Sequence, residues 1–221
     1  MKAKNIRDFK NKNSYSYNFR QKRMRIFFDQ IQKKFENKAV SILDVGGTVV
    51  FWETFLPDEL SSYQITVLNL TIQNEGSGRI PNIQSICGDA TRMPEFDNNH
   101  FDVVFSNSVI EHVGTLMQQK KMADEVKRVG KFIFLQTPNR YFPIEPHFHS
   151  NIPYLNFFPD YLKVFIIQKC NNLSRERAMF YCDSIRLLNR RELEILFPND
   201  FVIEKEKYFG FTKSFMVYSK I

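Results

Sequence analysis

The residues with chemistry to offer cluster where short apolar runs stop. Asp44-Val45-Gly46-Gly47-Thr48 closes the run that begins at Ser41, and Asn69 closes the next one. Gly88-Asp89-Ala90 follows a third run, and Ser106-Asn107-Ser108-Val109-Ile110-Glu111-His112-Val113 follows a fourth. A strand that ends in a glycine turn exposes backbone N–H groups at the carboxyl edge of a sheet, where open α/β folds bind their ligands. Gly46 and Gly47 allow a ligand close to the backbone. Asp44 puts a negative charge where a dinucleotide site holds pyrophosphate, so the ligand called for has a cationic or hydroxyl-rich group near the turn. Asp44 can meet an ammonium directly or through water, Asn69 can meet hydroxyls, and Asp89 can accept from an amino group beside the N–H of Ala90. Asp44 also reads as a helix cap and Asp89 as a turn residue.

A second group of reactive side chains follows the fifth apolar run. Thr137 to His149 holds Glu145, His147 and His149 between prolines. An oxygen acceptor must lose a proton during group transfer, and His is the usual side chain for that task. His112 and His147 are the candidate catalytic residues. Ser108-Val109-Ile110-Glu111-His112 offers two good metal ligands, Glu111 and His112, so no metal is expected from the local pattern.

The elements that must position these groups can be read from periodicity. Strands are expected at Ile42–Val45, Ile65–Leu70, Ile83–Cys87, Phe101–Ser106, Lys131–Gln136, Phe201–Lys207 and Phe215–Ser219. Apolar residues at Met24, Phe27, Phe28, Ile31 and Phe35 keep helical spacing. Further helices are expected near Phe51–Leu56, Leu116–Arg128, Pro159–Lys169, Ser174–Cys182 and Arg190–Leu196. The last opens with the capping-box pair Asn189 and Glu192. Strands alternating with crossovers give a mostly parallel sheet covered on both faces. The last two strands, joined at Phe209-Gly210, form a hairpin. A single domain over residues 1–221 is expected, with a mobile basic arm at 1–20 and an insertion or lid for the acceptor at 138–183.

These pieces in this order resemble the class I S-adenosylmethionine-dependent methyltransferases, in particular the type 11 small-molecule group. The matching residues are Ile42 to Gly47, Gly88-Asp89-Ala90 with Met93-Pro94, Phe101 to Asn107, and Ile110 to Val113. The resemblance covers residues 40–140, and 184–219 more weakly. It implies a Rossmann-like seven-stranded sheet with a C-terminal antiparallel hairpin, and S-adenosylmethionine as cofactor. The cofactor-binding residues it implies are Asp44, Gly46, Gly47, Thr48, Asn69, Asp89, Ala90, Asn107 and Glu111. Asn69 would hold the ribose and Asp89 the adenine amino group. Two departures point to a weaker grip: Thr48 where the family continues with glycine, and Asn69 where it carries an acid.

The acceptor expected is a small molecule or a glycan- or lipid-linked group, methylated at oxygen. The alternatives are a degenerate cofactor-binding module and a nucleic-acid methyltransferase. The second is disfavoured because Ser106-Asn107-Ser108-Val109 stands where enzymes acting on exocyclic amines show Asn/Asp-Pro-Pro-aromatic. A nicotinamide oxidoreductase needs G-x-G-x-x-G and an acid after the second strand, and both are missing. The net charge of +7 over 221 residues is read as compositional bias rather than a nucleic-acid surface. Cys87, Cys170 and Cys182 make no C-x-x-C pair, which fits a reducing compartment and a cytoplasmic chain. No secretory leader or membrane-spanning run is read. Peripheral contact with a membrane stays open through the aromatic segment Tyr154–Ile167, and the oligomeric state is left open.

Overall fold

The computed structural model describes residues 12, 14–36, 38–55, 63–71, 82–144, 146–148 and 152–221. Within them runs the order α1 (Tyr15–Phe35), β1 (Val40–Val45), α2 (Val49–Phe55), β2 (Tyr63–Asn69), β3 (Ile83–Cys87) and β4 (Phe101–Asn107). Then come α3 (Leu116–Val129), β5 (Gly130–Pro138), α4 (Asp160–Asn171), α5 (Arg175–Asp183), α6 (Arg190–Leu196), β6 (Phe201–Tyr208) and β7 (Phe211–Ser219). Short 3-10 turns lie at Ile110–His112, Pro146–Phe148 and Leu155–Phe157.

Seven strands form one sheet in the order β3-β2-β1-β4-β5-β7-β6. β1 to β5 pair in parallel, and β7 runs antiparallel to both β5 and β6. The carboxyl ends of β1, β2, β3 and β4 therefore share one edge. β4 returns beside β1 on the side opposite β2, so the chain direction of the connections reverses between β1 and β4. A crevice opens outside the strand ends at such a switch point. The β6–β7 turn has positive φ at both Phe209 (46°) and Gly210 (83°), the backbone a two-residue hairpin with right-handed twist requires.

Each face of the sheet is covered. On one side Leu43, Val104, Ile133 and Val217 pack against Met122, Val126 and Val129 of α3 and Leu193 and Leu196 of α6. On the other, Ile42, Val103, Phe105 and Phe134 pack against Met24, Phe27 and Ile31 of α1 and Phe51 and Trp52 of α2. Alternate residues of one strand feed opposite cores because strand side chains alternate in direction. α3 begins with a capping box between Thr115 and Gln118, and α6 with one between Asn189 and Glu192. α4 and α5 pack mainly on each other, around Phe148, Leu155, Ile167 and Ala178.

α1 begins at Tyr15, so residues 15–20 of the segment expected as a mobile arm are helical, with Ser14 accepting from the Tyr17 N–H as N-cap. Residues 1–11 of that arm lie outside the described residues, as do Glu145 and His149 and the stretch 72–80. Among the described residues, no helix is long and apolar enough to cross a membrane.

Candidate active site

A cavity of about 480 Å³ lies along the sheet edge. Gly46, Asn69, Asp89, Ala90, Ser108 and His112 are among the residues that line it. Its size is that of a small-molecule site. The end of β1 is shaped by glycine. Gly46 has φ of 76°, and a Cβ there would stand 2.5 Å from a methyl of Val109. An L-residue at position 46 would thus meet both backbone strain and the wall of the cavity.

Asn69 donates from Nδ2 to the carbonyl of Gly47 at 2.9 Å. An aspartate or glutamate could not make this bond. The amide therefore ties the ends of β1 and β2 together while its residue lines the crevice, which gives a physical reason for the departure at this position. Asp89 spends one oxygen, Oδ1, on the N–H and hydroxyl of Thr91 at 2.8 and 2.9 Å. The turn reading and the ligand reading of Asp89 are compatible, because a carboxylate has a second oxygen.

Asp44 does not line the crevice. It is fully buried and accepts from the Trp52 indole N–H at 2.6 Å. Oδ1 has no hydrogen-bond partner among the described residues. Burial pushes the carboxyl up to about 7, against the lowering effect of the indole bond. The carboxylate lies against Gly47, where any Cβ would collide with it. The expectation of a surface charge facing an ammonium is corrected: a buried acid props the glycine turn from behind. Thr48 caps α2, its hydroxyl accepting from Phe51 N–H at 3.1 Å, and it too is absent from the lining.

Asn107 is also drawn away from the crevice. Its Oδ1 accepts from Arg23 of α1, which pairs with Glu206 of β6 at 2.9 and 3.1 Å. Ser214 donates to the same carboxylate, and Lys213 stands 3.8 Å from it and 3.7 Å above the Phe19 ring. Burial pushes Glu206 up, but Arg23, Lys213 and Ser214 outweigh it and hold the carboxyl below its usual range. Burial pushes the Lys213 ammonium down to about 8, opposed by Glu206. No local pattern announced this cluster, since Arg23 and Asn107 are 84 positions apart.

Glu111 and His112 sit on the 3-10 turn after β4. Gln119 of α3 donates to the carbonyls of Ile110 and Arg186 at 2.9 and 2.7 Å, and Arg186 N–H donates to Glu111 O at 2.8 Å. The turn is thus fixed from beneath. Glu111 is fully buried and accepts from the Thr137 hydroxyl at 3.1 Å. His112 is exposed at the cavity wall and meets His147 edge-to-face, with ring centroids 4.9 Å apart. The two candidate catalytic histidines, 35 positions apart, are brought together.

This sheet order, with polar groups at successive strand ends around one crevice, is the architecture of class I S-adenosylmethionine-dependent methyltransferases. Residues 52–132 match the family model described as a methyltransferase domain, the type 11 group. That match spans 81 of the chain's 221 residues, so this part of the chain is similar to that domain. It is 30% identical over 125 residues to Uncharacterized protein Rv1509 of Mycobacterium tuberculosis (strain H37Rv), a stretch covering 52% of this chain and 41% of that protein. The chain therefore spans less than half the length of that relative. Among solved structures, the DszA carbon methyltransferase superposes with a TM-score of 0.62 at 13% identity, over 94% of this chain and 54% of that one. PH0226 from Pyrococcus horikoshii OT3 gives 0.55 at 17% identity, over 98% and 96%. At these identities the structural likeness shows the fold.

Proposed function

We propose that the chain transfers a methyl group from S-adenosylmethionine to an oxygen of a small-molecule or glycan- or lipid-linked acceptor. The observation that carries this reading is the crevice at the switch point, where Gly46, Asn69, Asp89 and Ala90 converge from three strand ends. These residues fit the cofactor. The glycine turn admits a chain along the backbone, the carbonyl of Asn69 offers an acceptor for a hydroxyl, and Asp89 offers its second oxygen to an amino group.

S-adenosylmethionine supplies a methyl carbon already activated by a sulfonium. The protein's part is to align the acceptor and exclude water. Gly46, Asn69, Asp89 and Ala90 would hold the cofactor, its sulfonium-bound methyl would pass to the acceptor oxygen with the sulfur as leaving group, and the acceptor's proton would pass to an imidazole and on to solvent. His112 at the wall, with His147 edge-to-face beside it, supports assigning these histidines to take that proton. Carbon methyltransferases share this fold, and a carbon acceptor would equally need a proton removed. The histidine pair favours oxygen because imidazole is the usual group that takes the proton of a hydroxyl acceptor.

Calorimetric titration with S-adenosylhomocysteine tests the cofactor half. Wild type is expected to bind one equivalent, and Asp89→Ala to bind at least tenfold more weakly. A folded wild-type chain that takes up none would remove the enzyme reading and leave the degenerate-module alternative.

A further inference from the structure

We infer that the exposed aromatic face formed by α4 and the loop before it docks on an anionic lipid bilayer, and that the acceptor is lipid-linked. The acceptor class rests on the methyl-transfer reading, whereas the docking face stands on its own geometry. Apart from Lys163, every residue of α4 from Tyr161 to Ile167 is apolar, so apolar side chains point in all directions around the helix. A helix apolar all round belongs in an interior. Val164, Ile166 and Ile167 do pack in the small core with Phe148 and Leu155. Tyr161 and Phe165, one turn apart on the outer side, are 75% and 54% exposed.

The loop after β5 adds further exposed rings. Phe157 stacks on Tyr141, with centroids 5.8 Å and planes 8° apart, and Tyr154 meets Phe157 at 6.4 Å. All three are exposed. Tyr154 has φ of 59°, a conformation sparsely populated outside glycine, and its N–H donates to the Pro143 carbonyl at 2.6 Å. Exposed rings grouped in this way mark an interaction surface.

The charges select the occupant. Lys169 continues the line of Tyr161 and Phe165 and stands over the Phe165 ring at 5.9 Å. Arg140 precedes Tyr141. Both cations are exposed, and among the described residues neither has an acidic partner, whereas Lys163 is paired with Asp160 at 2.6 Å. Tyrosine and phenylalanine rings beside unpaired cations suit the boundary of a bilayer, where rings enter the acyl region and cations meet lipid phosphates. A second copy of this chain would bring like charges together instead. With 12 residues α4 is too short to span a bilayer, so it would lie in the interface. The same loop leaves β5 at the sheet edge that carries the crevice, and its His147 meets His112 at the cavity wall. A chain docked here would present its crevice to headgroups that stay anchored in the bilayer.

The test is flotation of the full-length protein with phosphatidylcholine vesicles, with and without phosphatidylglycerol. Wild type is expected to float with the mixed vesicles. Uptake should fall about tenfold in Tyr161→Ser/Phe165→Ser and in Arg140→Glu/Lys169→Glu, because binding scales with buried apolar area plus attraction to anionic lipid. No uptake by wild type would overturn the docking face. Uptake unchanged in the aromatic variant would overturn it as well, by assigning binding to net charge alone. A dimer in sedimentation velocity that the aromatic variant loses, without vesicle uptake, would give the face to a second copy. S-adenosylhomocysteine titration, expected to be unchanged in both variants, reports their folding and tests the cofactor reading separately. Vesicle uptake without nucleoside binding would leave the docking face standing and remove the lipid-linked acceptor together with methyl transfer.

Discussion

Asp44 shows how a residue of the right type can serve a different end. It closes β1 directly before the glycine turn, yet its side chain turns to Trp52 and is sealed from water. Its folded pKa, about 7, lies above the ordinary carboxylate value of 3.8. The folded state therefore holds a proton that the unfolded state gives up between those values. The stability linked to this group is fully present below about pH 4 and is lost as pH rises through 7. Asp44→Asn keeps the shape and can accept from the indole while never ionising. Its melting temperature is expected to decline less than that of wild type between pH 5 and 8, as followed by circular dichroism. A wild-type decline fully retained in the variant would assign the pH dependence to other groups. The types and order of Asp44, Gly46 and Gly47 were legible in the sequence. The direction of the Asp44 side chain was not, because it depends on Trp52 of α2 packing against the same strand.

At the scale of elements, the sheet edge is held by a latch between α1, β4 and β6. Arg23 reaches across from α1 to Asn107 and Glu206, and both members of the ion pair have side chains only 5% exposed. Such a pair adds little over an apolar substitute, but removing one partner strands the other charge. Glu206→Ala would leave Arg23 and Lys213 in one buried cluster without their carboxylate. A loss of about 3–5 kcal/mol is expected for breaking a buried pair in this way, measured by urea denaturation. A change below 1 kcal/mol would show that water or rearrangement relieves the stranded charges. The helix itself was legible from the spacing of Met24, Phe27 and Ile31. Its earlier start at Tyr15 was not, since the polar run before it hides the cap that Ser14 provides. The strands were read to within a few residues because alternation and apolar runs are local signals. The strand boundary that moved most, β7 from Phe215 back to Phe211, lengthened by pairing with β6, which sequence periodicity does not reveal.

The whole molecule joins these parts through one crevice that no single segment contains. Its walls come from β1, β2, the turn after β3 and the turn after β4, so a ligand there links elements distant in the chain. Such a ligand should stabilise the entire fold by mass action. At one hundred times its dissociation constant, S-adenosylhomocysteine is expected to add about 2.7 kcal/mol. For a domain of this size that is a rise of roughly 5–10 °C in melting temperature. A thermal-shift assay checks it, and the absence of any rise at saturating ligand would contradict a preformed site. The sequence by itself determined the strand order of apolar runs, the reversed terminal hairpin, the glycine turn and the chemistry available at each strand end, because these are written in local composition and spacing. The tertiary structure alone decided which of those groups face the crevice. It turned Asp44 and Asn107 inward toward Trp52 and Arg23, set Asn69 to pin the turn, and brought His147 to Glu111 and His112. Those outcomes depend on contacts between residues far apart in the chain, formed only when both faces of the sheet are covered and its strand ends meet.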